Sequence, residues 1–204
     1  MFDAQILPPG RTKAASKQSS HLLREIIETV ILVLLVFFAV HFSVQPFRVN
    51  GPSMQPNLHT NNLVVVNLLA YDFGSPQRGD VIVFHPPIPG GEDQYYVKRI
   101  IAIPGDTIQV TPNAVLVDGQ TLSEPYIHSL GTNGIESLNV VPSFKLGKDQ
   151  YWVMGDNRTN SQDSRFFGPI SRSSIVGKAE VVIWPATSLE WLRNYSYVFA
   201  GVKQ

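Results

Sequence analysis

The run Tyr95-Tyr96-Val97-Lys98-Arg99-Ile100-Ile101-Ala102-Ile103-Pro104-Gly105-Asp106-Thr107-Ile108-Gln109-Val110 decides the class of fold. β-Branched and aromatic residues fill two short segments, 95–103 and 107–110, and Pro-Gly-Asp between them supplies turn chemistry. Strand, turn, strand is the reading. Outward from it the same grammar recurs, with strands expected at 47–50, 63–67, 80–84, 114–117, 150–154 and 176–183. Turn signals such as Gln77-Arg78-Gly79, Pro89-Gly90-Gly91 and Gly155-Asp156-Asn157 separate them. Asp118-Gly119 after Val115-Leu116-Val117 predicts a tight hairpin. Within this region only 189–200, carrying Trp191 and Tyr197, has the composition of a helix.

Upstream the character changes. Residues 26–45 are almost wholly apolar, close to the roughly 20 residues that cross a hydrocarbon core, and 30–40 carries no polar stripe for a soluble neighbour. A cleaved signal peptide is the alternative, but the segment is long for that role and no small-x-small site follows it. A retained anchor is therefore expected. Arg11, Lys13, Lys17 and Arg24 precede it and only Arg48 follows closely, so the amino terminus is expected on the cytoplasmic side and the remainder across the membrane. The expected class is mostly β: a flexible tail (1–25), a transmembrane anchor (26–45), a β-rich catalytic domain (46–119 and 150–204), and a small cap or loop (120–149).

Composition narrows the function. Sixteen acidic against sixteen basic residues give no net charge, so nucleic acid is not an expected partner. The chain has no cysteine, hence no disulfide, thiolate nucleophile or cysteine-held metal. Its five histidines show no metal-ligand spacing, and neither metal nor cofactor is expected.

Gly51-Pro52-Ser53-Met54-Gln55-Pro56 lies just beyond the apolar segment. Pro52 fixes its own φ and restricts Gly51, and Pro56 does the same to Gln55, so Ser53 sits in a stiff turn, as a positioned nucleophile requires. An ordinary serine in a Pro-rich turn fits the tripeptide as well. The segment lacks the second glycine of a nucleophile elbow, and Pro56 stands where an SxxK motif needs lysine. On the 95–103 strand, alternation groups Lys98 with Tyr96, Ile100 and Ala102, and Arg99 with Val97 and Ile101. Burial would lower a lysine's pKa toward that of a usable base, whereas arginine stays charged. Two exposed strand-edge charges are the competing reading. The polar run 155–165 holds two aspartates and two arginines that could form an ion-pair network.

Several blocks in order resemble the type I signal peptidases: the apolar span, Gly51-Pro52-Ser53-Met54-Gln55-Pro56-Asn57-Leu58, Arg78-Gly79-Asp80-Val81-Ile82-Val83-Phe84, Tyr96-Val97-Lys98-Arg99 with Pro104-Gly105-Asp106, Gly155-Asp156-Asn157-Arg158 through Ser164-Arg165, and Gly177-Lys178-Ala179. The resemblance implies a membrane-bound serine endopeptidase that removes signal peptides from exported precursors, with membrane lipid as its setting. It implies Ser53 as nucleophile and as backbone oxyanion donor, Lys98 as neutral general base, and Ser161 as the residue orienting that lysine. It implies an Asp163–Arg165 ion pair supporting the segment, and pockets for small side chains lined by Phe47, Val49, Met54, Leu58, Val83 and Val97. Some members carry a hydroxyl residue two positions before the nucleophile, where this chain has Gly51. A self-cleaving repressor-like protein with the same dyad would need a DNA-binding region that residues 1–25 cannot hold. A non-enzymatic anchored scaffold is the other alternative.

Overall fold

The computed structural model describes residues 13–127 and 139–202. The chain forms two compact units, residues 1–42 and 43–204.

The first unit is dominated by a single helix, α1 (Lys13–Ser43). Its His21–Ser43 portion, 23 residues long, has no buried residue, and 30–40 within it is apolar on all sides. At about 1.5 Å per residue this portion matches a hydrocarbon core about 30 Å thick. The helix starts at Lys13, inside the stretch expected to be a flexible tail, while residues 1–12 lie outside the described residues. An Arg24–Glu28 pair at 2.7 Å, one turn apart, supports the polar end.

The second unit is β-rich. Among the described residues its strands are β1 (Val44–Arg48), β2 (Leu63–Asn67), β3 (Val81–Phe84), β4 (Tyr96–Ala102), β5 (Thr107–Val110), β6 (Val115–Val117), β7 (Gln120–Thr121), β8 (Val141–Lys145), β9 (Gln150–Met154), β10 (Ile170–Ser171), β11 (Ile175–Trp184) and β12 (Glu190–Trp191). A one-turn helix, α2 (Ser164–Phe167), follows β9. The larger sheet runs β1-β2-β11-β3-β4-β9-β10, with β12 added to β11; the smaller runs β7-β6-β5-β8. Every pairing is antiparallel.

Most expected strands form within a residue of their predicted limits. β1 begins three residues earlier than expected because it is an edge strand, where Pro46 removes no ladder bond from a second neighbour. Asp118 and Gly119 both take positive φ, 50° and 79°, which is the backbone of the predicted hairpin between β6 and β7. The helix expected over 189–200 does not form. Trp191 pairs with Val181 as strand, Tyr195 turns left-handed at φ 51°, and short 3-10 turns cover 186–188 and 196–199. Phe199 and Val202 are thereby buried, while Trp184 and Trp191 stay exposed.

Parts of the expected cap, β7 and β8, are strands of the smaller sheet, and 128–138 between them lies outside the described residues. Ile108, Val110, Val115 and Val117 on this sheet pack with Ile101, Trp152 and Met154 on β4 and β9, forming one core. A second core gathers Val49, Met54, Leu58, Val64, Val66 and Val83. A third holds Ile82, Phe84, Ile100 and Val153. β4 runs between β3 and β9, so neither Lys98 nor Arg99 is an edge charge: they are 3% and 1% exposed. The strict alternation assumed for this strand fails at a register shift between Ile100 and Ala102, which sends Ile101 and Ala102 into the same core.

Candidate active site

The turn after β1 is built to hold one serine. Gly51 has φ 88°, a conformation that favours glycine, and Pro52 follows it. The Gln55 N–H then donates to Pro52 O at 3.0 Å and Leu58 N–H to Met54 O at 2.8 Å. Met54 and Leu58, fully buried, anchor the turn in the core beneath, so they serve packing before any contact with solvent or lipid. From the other side, Asn157 grips the same backbone: its N–H donates to Ser53 O at 3.0 Å and its Nδ2 to Pro52 O at 3.2 Å. Gly155 completes the close approach, since a Cβ there would collide with Ser53 O and Ser161 Oγ. The Ser53 N–H has no hydrogen-bond partner among the described residues.

Lys98 reaches this serine from the middle of β4. Its Nζ donates to Ser53 Oγ at 2.8 Å and to Val97 O at 3.0 Å. Burial pushes the amine down to about 8, against the raising pull of the Asp163 and Asp156 carboxylates and with a small lowering push from Arg165. Among the described residues no carboxylate forms an ion pair with it. An amine with such a pKa is partly neutral near pH 8. Once it has lost its proton, the bond to Ser53 reverses: the hydroxyl donates, the lone pair of Nζ accepts, and a remaining N–H still holds Val97 O. That is the arrangement of a nucleophile and its general base.

Arg99, on the opposite side of β4, makes a bidentate pair with Asp156 at 2.9 and 2.8 Å and donates to Gly79 O and Arg193 O. Four of its five N–H donors are thereby used, and it lies over the rings of Tyr126 and Tyr195. The polar run 155–165 is thus a network, but not a closed one. Asp156 takes its cation from β4, Arg158 takes its anion, Glu124, from the segment after β7, and only Asp163 and Arg165 pair within the run. In that pair two parallel bonds of 2.8 Å join buried groups, and Asp163 also accepts from Gly155 N–H and caps α2. Burial pushes the Asp163 carboxyl up, but the bonds from Arg165, with Gly155 N–H, outweigh it and hold the group below the usual carboxylate range.

Ser161 is close by yet not bonded to Lys98. Its Oγ is buried, abuts Gly155, and has no hydrogen-bond partner among the described residues. All six expected pocket residues fall in one cluster, but not at one depth. Phe47, Val49, Met54 and Val97 line a cleft of about 550 Å³ in front of Ser53 and Lys98, while Leu58 and Val83 lie behind them in the core. Arg48, Asn50 and Pro52 also line it, and Gln94, Tyr95, Tyr96, Asn160 and Gln162 complete the wall. No sequence signal marked these last five or Asn157 as site residues, because each reaches the cleft only through strand pairing or a loop crossing. Among the described residues no group of His, Cys, Asp or Glu could hold a metal ion.

Comparison with known proteins identifies the family. The chain is 35% identical over 193 residues to "Signal peptidase I" of Leptolyngbya laminosa, covering 89% of this chain and 90% of that one. It is 33% identical over 190 residues to "Signal peptidase IB" of Staphylococcus aureus (strain MRSA252), covering 85% and 95%. A crystal structure of a signal peptidase I from Enterococcus faecalis V583 aligns at 32% identity with TM-score 0.43, over 51% of this chain and 96% of that one. Residues 22–184 match the family described as "Signal peptidase, peptidase S26". A span that takes in the apolar helix, the Ser53 turn, β4 and the 155–165 loop is most of the molecule, and the chain belongs to the signal peptidase family of serine endopeptidases, peptidase S26.

Proposed function

We propose that this protein is a membrane-anchored endopeptidase that cuts signal peptides from exported precursors with Ser53 as nucleophile and Lys98 as general base. The observation that carries the proposal is the 2.8 Å contact of Lys98 Nζ with Ser53 Oγ, made by an amine that is 3% exposed and has no carboxylate partner among the described residues. Neutral Lys98 accepts the Ser53 proton as Oγ attacks the scissile carbonyl. The tetrahedral oxyanion takes a hydrogen bond from the Ser53 N–H, and a donor of this kind contributes about 3 kcal/mol in acyl-transfer enzymes. The Lys98 ammonium then protonates the leaving amine, which departs as the new amino terminus of the mature protein. A water, deprotonated by Lys98, attacks the acyl ester; the Ser53 ester bond breaks, the Lys98 ammonium returns the proton to Ser53 Oγ, and the signal peptide leaves with a free carboxylate.

The apolar lining from Phe47, Val49, Met54 and Val97 suits small side chains and excludes large ones. His21–Ser43 holds the enzyme in the plane of its bilayer-bound substrate, which raises their effective concentration. The basic residues before the span set the amino terminus in the cytoplasm and the catalytic unit on the opposite side. Ser161 is assigned to packing the Gly155–Asp163 loop against Ser53, and through it to orienting Lys98.

The test is cleavage of a purified precursor in detergent by the wild type, Ser53→Ala and Lys98→Met, with the new amino terminus sequenced. The wild type should cut after a small-x-small site, and both folded variants should be at least a thousandfold slower. Substantial activity in Lys98→Met would place the base elsewhere, and an uncut precursor would leave an anchored scaffold.

A further inference from the structure

We infer that Gln162 sets the substrate selectivity of the cleft: it holds the Tyr96 ring as the wall beside the reacting pair and so limits the size of side chain accepted next to the cut bond. The inference rests on the endopeptidase reading above and names a residue that reading does not use.

Tyr96 lies on β4 two positions before Lys98, on the same side of the strand, and its ring centroid is 5.2 Å from Lys98 Nζ. Because that Nζ is itself 2.8 Å from Ser53 Oγ, the side chain flanking the attacked carbonyl must pack near this ring. One side of the ring is held by the edge-to-face contact with Phe84, at 6.2 Å between centroids. Among the described residues the far end is held by one bond, from Tyr96 Oη to Gln162 Oε1 at 3.1 Å.

Gln162 is well placed to act as an anchor. Its loop is tied on both sides of the cleft chemistry, by Asn157 N–H on Ser53 O and by Gly155 N–H on Asp163 Oδ2. Both Gln162 and Tyr96 line the cleft, so their bond joins the β4 wall to the loop wall across residues far apart in sequence. Without it, the half-buried phenol can swing on its χ angles toward solvent and the pocket gains depth. An exposed hydrogen bond of this sort contributes little to folding, so its consequence falls on shape.

The experiment compares kcat/KM for two otherwise identical precursor peptides, one with alanine and one with leucine immediately before the cut, in the full-length enzyme in detergent. Pockets of this kind discriminate by size over one to two orders of magnitude. Gln162→Ala should lower the alanine-to-leucine preference by about fivefold, within that range. Tyr96→Phe, which keeps the ring and loses the hydroxyl, should do the same, and the double variant no more than either alone. Gln162→Glu still offers an acceptor to Tyr96 and should keep most of the wild-type preference; effects of its charge on Lys98 cancel in the ratio. An unchanged ratio in Gln162→Ala, or additive effects in the double variant, would overturn the assignment while leaving the endopeptidase reading intact. A wild type that cuts neither peptide, or a Ser53→Ala variant that cuts both, would overturn the reading itself and this inference with it.

Discussion

Lys98→Met should make this protein more stable near neutral pH while abolishing its activity, the reverse of an ordinary core substitution. Lys98 is depressed to about 8 from 10.5, a gap of about 2.5 units, equivalent to roughly 3 kcal/mol against the folded state when the amine is charged. The sign follows from proton counting. Between pH 8 and 10.5 the unfolded chain keeps the lysine proton that the folded chain has lost, so stability rises with pH through this window. Below pH 8 both states are protonated and the whole cost is present. Methionine removes the charge at similar volume but forfeits the bonds to Ser53 Oγ and Val97 O, each worth about 1 kcal/mol net. A net gain of about 1 kcal/mol at pH 7 remains, or about 2–4 °C in Tm for a chain of this size. Thermal unfolding of both proteins in the same detergent at pH 7 and pH 10 isolates the effect, because other titrating groups cancel in the difference. The variant's advantage should vanish or reverse by pH 10. A difference that stays constant between the two pH values would refute the depressed pKa and, with it, the physical basis for lysine as the base.

Three other outcomes are expected. The kcat/KM of cleavage should climb with pH and level off above an apparent pKa near 8, since only neutral Lys98 accepts the serine proton; a flat profile from pH 6 to 9 would contradict this. Asp163→Ala should cost about 3–5 kcal/mol by stranding the buried Arg165 cation, whereas Asp163→Leu combined with Arg165→Met should recover much of the melting temperature. Gly51→Ser should keep cleavage within tenfold, because a Cβ there meets nothing within 4 Å. Its positive φ, 88°, should still cost about 1–2 kcal/mol of stability, read as a drop in Tm with little change in kcat/KM.

What the sequence determined by itself was whatever depends on neighbours along the chain. Apolar length marked the segment expected at 26–45, most of which is apolar helix, β-branched runs set the strands, and Asp118-Gly119 set a hairpin, because backbone sterics and short-range burial act over a few residues. Ser53 was legible as a candidate because prolines stiffen its turn locally. Its partner was not. Periodicity left Lys98 and Arg99 on opposite faces of a strand whose place in the sheet was unknown; only the pairing of β4 with both β3 and β9 buries them together. Tertiary structure likewise decided that Arg99 neutralises Asp156 and Arg158 neutralises Glu124, that Leu58 and Val83 lie behind the cleft rather than in its wall, and that 189–200 is strand and turns rather than helix. Each of these turns on which distant segment arrives to satisfy a buried charge, carbonyl or apolar face, and strand order is what brings those segments together.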